Sequence, residues 1–156
     1  MKTVTHQSQN WRNWLVKRKA EPTIILGYYG TGKSYLASKC DNVVELVYYN
    51  QPTLEQLLDA IDNYDVILVD PKWRQILIDN GYEFHIVLPD VTLRDEYMER
   101  FRQRRERRQG NGSPAFVRSM EQVWDRLLDE LKKLPNLSLT ILNKGQYLSD
   151  IIKKFE

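Results

Sequence analysis

The sequence predicts an α/β fold in which helices cover a parallel β-sheet. Short apolar runs alternate with stretches of helical spacing, and helices connect the first three runs, which makes those strands parallel. A chain of 156 residues suits one domain with one core, and 42% hydrophobic with 28% charged residues is the composition of a globular protein. We therefore expect a single domain over residues 1–156.

The alternation of apolar runs and helical stretches predicts five strands and the helices between them. The strands are expected at residues 23–26, 43–48, 65–69, 84–88 and 137–142. Helices are expected at about 10–19, within an N-terminal extension over residues 1–20, and at about 32–39, 53–63, 71–80, 92–108, 113–134 and 146–155. Local signals mark helix ends: Thr53 with Gln56 forms a capping box, Asp70 precedes Pro71, and Gly81 closes the helix that follows.

Composition and charge exclude several classes of protein. The formal net charge of +2 is too small to indicate nucleic-acid binding by itself. The single cysteine, Cys40, excludes an internal disulfide, and with two histidines the chain cannot form a cysteine-rich zinc site. The first thirty residues lack an apolar signal core, and no run is long enough to span a bilayer. We expect a cytoplasmic protein without a membrane partner.

A glycine-rich segment between the first strand and the first helix predicts phosphate binding. Residues 27–34 match G-x-x-x-x-G-K-[ST] at every fixed position. Glycines let the backbone wrap closely around phosphate oxygens, so successive N–H groups point into the loop. Lys33 is expected to face the β- and γ-phosphates of ATP and not the core, and the Ser34 hydroxyl to coordinate Mg²⁺. The predicted ATP-binding residues are Gly27, Tyr28, Tyr29, Gly30, Thr31, Gly32, Lys33, Ser34 and Tyr35.

Two points about this loop region stay open in the sequence. Tyr28 and Tyr29 are bulky for such a loop, and they form its outer wall or pack on neighbouring residues. Asp70 follows the third apolar strand, where a carboxylate usually holds Mg²⁺ or its water shell, and it also has the position of a helix N-cap. Both roles are compatible, and the metal-binding role is favoured.

Glu45 is a further carboxylate that interrupts the apolar run of the second strand. It is a candidate base or acceptor-binding group. On an edge strand the same pattern places a side chain in water, and the pattern favours this second interpretation.

The stretch 94–108 holds seven arginines on one predicted helix. At about 100° per residue, Leu93, Tyr97 and Phe101 form a buried stripe. The stripe continues to Arg104 and Arg108, with Arg100 at its border, and these three are the predicted cations for transferred phosphate. Arg102, Arg105 and Arg107 are assigned to solvent or to pairing with Glu99 and Glu106. The alternative is a solvated helix, but the Gly-Asn-Gly at 110–112 favours a lid at about 100–115.

The order of these features resembles the nucleoside-monophosphate-kinase (adenylate-kinase-like) branch of the P-loop kinases. The phosphate loop is followed by Asp70 after strand three, Leu-Pro after strand four, the arginine-rich helix and a fifth strand; residues 70–74 with Arg100 and Phe116 are similar to small phage-encoded (deoxy)nucleotide kinases. The resemblance covers about residues 23–155. It implies a three-layer P-loop NTPase sandwich with strand order 2-3-1-4-5, residues 143–146 near the adenine, and, for a phage-encoded chain, a location in the host cytoplasm.

Three functions are predicted from the site residues. The first is a (deoxy)nucleoside monophosphate kinase that uses ATP and Mg²⁺, with Arg74 and Arg100 beside the acceptor. The second is a kinase of a hydroxyl acceptor: a nucleoside, a small metabolite or the 5′ end of a nucleic acid. The third is a nucleotide-binding ATPase or switch. A hydroxyl acceptor usually needs a carboxylate base, whereas a phosphate acceptor needs cations, so many arginines and no unambiguous base favour the first.

Overall fold

The computed structural model describes residues 21–48, 50–106 and 113–155, with the backbone alone at 105 and 106. The predicted helix at 10–19, the glycine-rich turn of the lid and Arg108 lie outside these residues. None of the helices in the described part of the chain combines the length and the apolar character that a membrane crossing requires.

Five parallel strands form one sheet, which confirms the α/β fold and the strand order 2-3-1-4-5. The strands are β1 (Thr23–Gly27), β2 (Val43–Glu45), β3 (Val66–Val69), β4 (His85–Pro89) and β5 (Leu139–Leu142). Their order across the sheet is β2-β3-β1-β4-β5, and every neighbouring pair is parallel. The carboxyl ends of all five strands therefore meet at one edge of the sheet.

Helices connect these strands and cover both faces of the sheet. They are α1 (Lys33–Lys39), α2 (Leu54–Asn63), α3 (Arg74–Asp79), α4 (Arg94–Glu106), α5 (Pro114–Lys132) and α6 (Leu148–Ile151). Short 3₁₀ turns precede α3 and α4 and follow α6, at Pro71–Trp73, Val91–Leu93 and Ile152–Phe155.

The core lies in two layers because side chains alternate along each strand. In β1, Leu26 belongs to the larger layer together with Trp73 of the turn before α3, Tyr97 of α4 and Trp124 of α5. Ile25 belongs to the smaller layer, with residues of α1 and α6. The site-bearing helix α4 is therefore anchored by fully buried aromatic side chains, and this holds its polar end in place.

The local signals for helix ends are confirmed in most cases. The Asp70 carboxylate accepts a hydrogen bond from Lys72 N at 2.8 Å, and Gly81 has the left-handed φ of 71°. Thr53 Oγ1 accepts from Gln56 N at 3.3 Å, which is one half of the capping box. The other half is wrong, because Gln56 Nε2 donates to Val47 O at 2.6 Å instead of reaching back to Thr53.

Several predicted elements are longer than those in the structure, among them the fifth strand, which begins at Leu139 instead of residue 137, and the helix before it, which ends at Lys132 instead of residue 134. The second strand was expected to extend to residue 48 but ends at Glu45. The last bond to its partner β3 runs from Leu46 N to Leu68 O at 2.9 Å, and the chain then turns at Asp70, whose carbonyl accepts from Trp73 N at 3.1 Å in the 3₁₀ turn. The last predicted helix begins at Leu148 instead of residue 146 and tightens into a 3₁₀ turn after Ile151.

Candidate functional site

A tight loop over residues 27–34, here called the glycine loop, joins β1 to α1 at the carboxyl edge of the sheet. Gly30 and Gly32 have φ of 81° and 92°, which L side chains rarely adopt. A Cβ on Gly30 would also lie 3.1 Å from Phe101 Cε1, so α4 packs directly against the loop at this point. Two glycines of the motif therefore have the backbone conformations that a tight loop needs, while phosphate binding by the loop stays a prediction.

A pocket of about 480 Å³ opens beside the glycine loop. It gathers residues that are far apart in the chain, and six of the predicted site residues line it together with Tyr147: Gly30, Gly32, Ser34, Tyr35, Arg100 and Arg104. Two arginines of α4 and the serine of α1 thus line one cavity. Lys33, Glu45, Asp70 and Arg74 are not among its lining residues.

Lys33 lies beneath the loop. Its side chain is only 4% exposed, and Nζ donates to Gly27 O and Tyr28 O, at 2.8 Å each. Lys33 is therefore buried beneath the loop without joining either core layer, and its contact with phosphates stays a prediction. The two loop carbonyls accept its protons because the loop folds back over the ammonium group.

Two cations, Lys33 and Arg104, and two carboxylates, Glu45 and Asp70, lie close enough together to influence the pKa of Lys33. Burial lowers the pKa of Lys33 to about 8; the nearby carboxylates of Glu45 and Asp70 oppose this shift, and Arg104 adds to it. Burial also lowers the pKa of Arg104, and Glu45 again opposes the shift. Lys33 and Arg104 are therefore partly desolvated cations close to the same carboxylate, which favours the binding of a further anion.

Because the pKa of Lys33 lies near 8, we expect the affinity for ATP to depend on pH. Above pH 8 the free protein loses the Lys33 proton, so the binding constant should fall by up to about tenfold per pH unit. Isothermal titration calorimetry between pH 7 and 9.5 measures this. Lys33→Arg is the control. Arginine keeps its charge throughout this pH range, so the affinity of this variant for ATP should not change with pH. Parallel pH curves for the two proteins would contradict the expectation.

Glu45 lies against Ser34, at the carboxyl end of β2. Ser34 Oγ donates to Glu45 Oε1 at 2.5 Å. The edge-strand interpretation favoured by the sequence is confirmed for β2, and Glu45 is half-buried, but its carboxylate also bonds to Ser34. β2 ends at Glu45, and this places the carboxylate at the same sheet edge as the glycine loop.

Asp70 caps a helix, and it also meets a tyrosine that the sequence did not single out. Its Oδ1 accepts from Lys72 N at 2.8 Å, and its Oδ2 accepts from Tyr48 OH at 2.9 Å. This confirms the N-cap role, while the metal-binding role stays a prediction. Burial and the Asp70 carboxylate raise the pKa of Tyr48, so its hydroxyl keeps its proton at neutral pH.

Ser34 and Glu45 bring together two oxygen donors of the kind that Mg²⁺ prefers, and Asp70 is a further carboxylate near enough to oppose the pKa shift of Lys33. Within the described residues, no group of three or more His, Cys, Asp or Glu side chains is arranged to hold a metal ion. Mg²⁺ in phosphate-transferring sites usually takes one or two carboxylates and completes its shell with water and substrate phosphates. A hydroxyl with flanking carboxylates therefore fits Mg²⁺ in the presence of a nucleotide.

The arrangement of arginines that the helical wheel predicts on α4 is confirmed in part. Tyr97 and Phe101 are fully buried, and Arg104, which continues their stripe, reaches the pocket. Arg102 lies on the outside and pairs with Glu99 at 3.6 Å, as expected. Arg100 is 11% exposed and makes contacts within the chain, which are described below. Arg74 donates through Nη1 to Pro71 O at 3.0 Å.

Tyr28 and Tyr29 pack on neighbouring residues, which decides the alternative that the sequence left open. Both are buried in the larger core layer, where Tyr28 contacts Trp124 and Tyr29 contacts Phe116, each with rings edge to face. Burial raises the pKa of both hydroxyls. They therefore anchor the loop to the larger core layer and do not form its outer wall.

Several residues at the site were not predicted from the sequence: Ser38 and Gln103 of the pocket lining, and Tyr48, Glu96 and Tyr147. Glu96 stands four residues before Arg100, a spacing that predicts an ion pair on a helix, and this signal was present in the sequence. Tyr147 follows the loop that the family resemblance places near the adenine. Tyr48 carried no signal, since its contact with Asp70 depends on where β2 ends.

Comparisons with known proteins give no family for this chain. No protein-family model matches it, and no curated protein matches it. A solved structure of an uncharacterized protein from Eubacterium ventriosum has a TM-score of 0.44 and 13% sequence identity, over 86% of this chain and 97% of that one. This likeness carries no information about function.

Proposed function

We propose that this chain is an ATP- and Mg²⁺-dependent phosphotransferase of the P-loop kinase class. The observation that carries the proposal is the convergence of Lys33, Ser34 and Arg104 at the glycine loop, beside the carboxylate of Glu45. A closely wound glycine loop, an ammonium group, a hydroxyl and a guanidinium are the groups that bind and neutralise a triphosphate.

Each residue has a distinct part in this proposal. Lys33 exchanges the carbonyls of Gly27 and Tyr28 for phosphate oxygens when ATP binds, and the anion then stabilises its protonated form. Ser34 and a flanking carboxylate hold Mg²⁺, which neutralises charge on the phosphates. Arg104 reaches the same pocket from α4 and stabilises the charge that develops during transfer.

The first candidate for the acceptor is a (deoxy)nucleoside monophosphate. Such an acceptor brings a second anion toward ATP, and at about 4 Å like charges repel by several kcal/mol unless cations lie between them. Arg104 at the pocket and Arg74 on α3, next to the carboxyl edge of β3, are available for this purpose. The presence of these two arginines near the carboxyl edge of the sheet supports this candidate.

Glu45 supports a second candidate, a kinase of a hydroxyl acceptor. Its carboxylate touches Ser34, so it lies close to the predicted position of the metal and the phosphates. A carboxylate there is suited to take the proton of an attacking alcohol. Nucleic acid is a partner only under this candidate, through a 5′-hydroxyl end. The third possibility, an ATPase or switch without an acceptor, gains no particular support from the site geometry.

For the monophosphate candidate, we expect Arg74→Ala to raise the acceptor KM about tenfold or more and to leave the ATP KM within twofold, because Arg74 serves one substrate only. The measurement is steady-state transfer from ATP–Mg²⁺ to a panel of mononucleotides, nucleosides and a 5′-hydroxyl oligonucleotide. Arg126→Ala, an exposed arginine of α5, is the control. Equal changes in both KM values would contradict the role of Arg74.

The same assay separates the two candidates through Glu45→Gln. At saturating Mg²⁺, a monophosphate kinase should keep most of its kcat in this variant, because Glu45 then matters only as one of the oxygen donors near the metal. A hydroxyl kinase should lose about 10²- to 10⁴-fold, the usual contribution of a general base. Transfer to nucleosides or oligonucleotides, together with none to mononucleotides, would replace the first candidate by the second.

A further inference from the structure

Arg100 lies at the centre of a junction between three separate segments of the chain. Its Nη1 donates to Gly30 O of the glycine loop at 2.7 Å, and its Nη2 donates to Glu96 Oε2 at 2.7 Å. Nη2 also lies 3.4 Å from Gln146 O, and Glu96 Oε2 accepts from Gly145 N at 3.3 Å. We call these five residues the Arg100 junction. It joins the glycine loop, α4 and the segment before α6.

The guanidinium of Arg100 packs against two aromatic rings. Its Cζ lies 4.2 Å from the ring centroid of Tyr97 and 4.0 Å from that of Tyr147. A Cβ on Gly32 would lie 3.2 Å from Tyr147 Cδ1, so the Tyr147 ring also rests on the glycine loop. A guanidinium that is hydrogen-bonded at its edge and packed against two aromatic rings has little freedom to turn toward a ligand.

We propose that Arg100 is a positioning residue that holds the glycine loop in its phosphate-binding shape and does not itself bind phosphate. The ligand part of this inference rests on the proposed function; the loop part rests on the contacts alone. The sequence assigned Arg100 to the transferred phosphate, as one member of an inward-facing group of arginines. In the structure its donors are directed to Gly30, Glu96 and Gln146.

The contacts act on the loop through the geometry of the peptide bond. In a trans peptide the C=O and the following N–H point in opposite directions. Arg100 anchors the carbonyl of Gly30, and Leu148 N anchors the carbonyl of Thr31 at 2.9 Å. These two bonds fix the directions of the Thr31 and Gly32 N–H groups, which belong to the phosphate-binding part of the motif.

The junction also sets the distance between α4 and the loop. Arg104 lies one helical turn after Arg100 and lines the same pocket as Ser34. Because Arg100 ties α4 to Gly30, Arg104 is kept within reach of the loop. A loss of the junction should therefore weaken the binding of any polyphosphate, whether or not it carries a base.

The test compares Mg²⁺–ATP with Mg²⁺–tripolyphosphate as calorimetric ligands for wild type, Arg100→Gln, Arg100→Lys and Glu96→Gln. We expect Arg100→Gln and Glu96→Gln to weaken both ligands about tenfold or more, and Arg100→Lys to fall between them and wild type. Arg102→Gln removes one charge from the exposed side of the same helix and is the matched control, with a change below about twofold.

Glu96→Gln gives the sharpest distinction, because the two possible roles of Arg100 predict opposite signs. If Arg100 bound phosphate directly, removal of its carboxylate partner would release it and add one positive charge, so tripolyphosphate would bind more tightly. If Arg100 positions the loop, the same change loosens the junction and tripolyphosphate binds more weakly. Tighter binding, unchanged binding, or a loss confined to ATP would overturn the inference.

Hydrogen exchange without ligand tests the loop part independently of the proposed function. Arg100→Gln should speed amide exchange at least about tenfold at Leu148 and Leu36, whose N–H groups donate to Thr31 O and Gly32 O of the loop, while Arg102→Gln leaves it unchanged. Thermal melting identifies a variant that fails to fold, and Arg100→Lys then serves in its place. Failure of wild type to bind either polyphosphate would remove the proposed function and the ligand part of the inference; unchanged exchange would remove the loop part.

Discussion

Replacement of Lys33 by Ala should reduce phosphoryl transfer by about 10²-fold or more. Lys33 is the ammonium group of the glycine loop, and burial together with Arg104 makes its charge costly until an anion binds. The ATP γ-phosphate supplies that anion in the proposed function. Without Lys33, the transferred phosphate keeps Arg104 and Mg²⁺ but loses the cation that lies beneath the loop.

The control for this variant is Lys39→Ala, which removes a lysine from the other end of α1. Both proteins should be assayed and melted together. Since Lys33 also donates to the carbonyls of Gly27 and Tyr28, its loss leaves two acceptors without their partner, and we expect a small drop in Tm that Lys39→Ala does not show. Transfer at the wild-type rate by a folded Lys33→Ala protein would contradict the phosphate-binding role.

The second large effect is expected at Arg104. Arg104→Ala should lower kcat by about 10²-fold, because a guanidinium aimed at developing phosphate charge stabilises the transition state more than the ground state. Its side chain is partly desolvated, which strengthens its interaction with an anion. Arg104 lines the pocket beside Ser34, so no large movement is needed for this contact.

Arg102→Ala is the matched control, since it removes an equal charge from the exposed side of α4. Its kcat should stay within about twofold of wild type, as is usual for an exposed ion pair. The comparison is made at saturating ATP, so that kcat and not binding is measured. Equal effects for the two variants would mean that α4 acts only through its overall charge.

The parallel sheet and the glycine loop could be predicted from the sequence because both depend on local patterns. The apolar runs at β1, β3 and β4 need no knowledge of their neighbours, and the motif at residues 27–34 fixes a turn through Gly30 and Gly32. The sheet order, by contrast, followed from the family resemblance alone.

The position of Glu45 could not be predicted because it depends on the end of a strand. Alternation along β2 is compatible with a side chain in water or against α1, and only the termination at Glu45 brings its carboxylate to Ser34. The physical cause is the turn at Asp70, whose carbonyl accepts from Trp73 N instead of from a residue of β2. The cause was visible in the sequence, but only in combination with the register of β2 and β3.

Arg100 shows a different limit of sequence patterns. The helical wheel correctly predicted that it lies at the border of the buried stripe. A wheel shows which direction a side chain takes from its helix but not which partner it meets. Arg100 donates to the carbonyls of Gly30 and Gln146, and these residues are 70 and 46 positions away in the chain.

Direct titration of the wild-type protein with ATP, in the presence and in the absence of Mg²⁺, tests the central claim most directly. If the glycine loop is a phosphate site, one ATP should bind per chain with a Kd below about 1 mM in Mg²⁺, and tripolyphosphate should compete with it. Removal of Mg²⁺ should weaken ATP binding, because Ser34 then loses the ion that links it to the phosphates. No heat of binding for ATP in either condition, from a protein that melts cooperatively, would contradict the account.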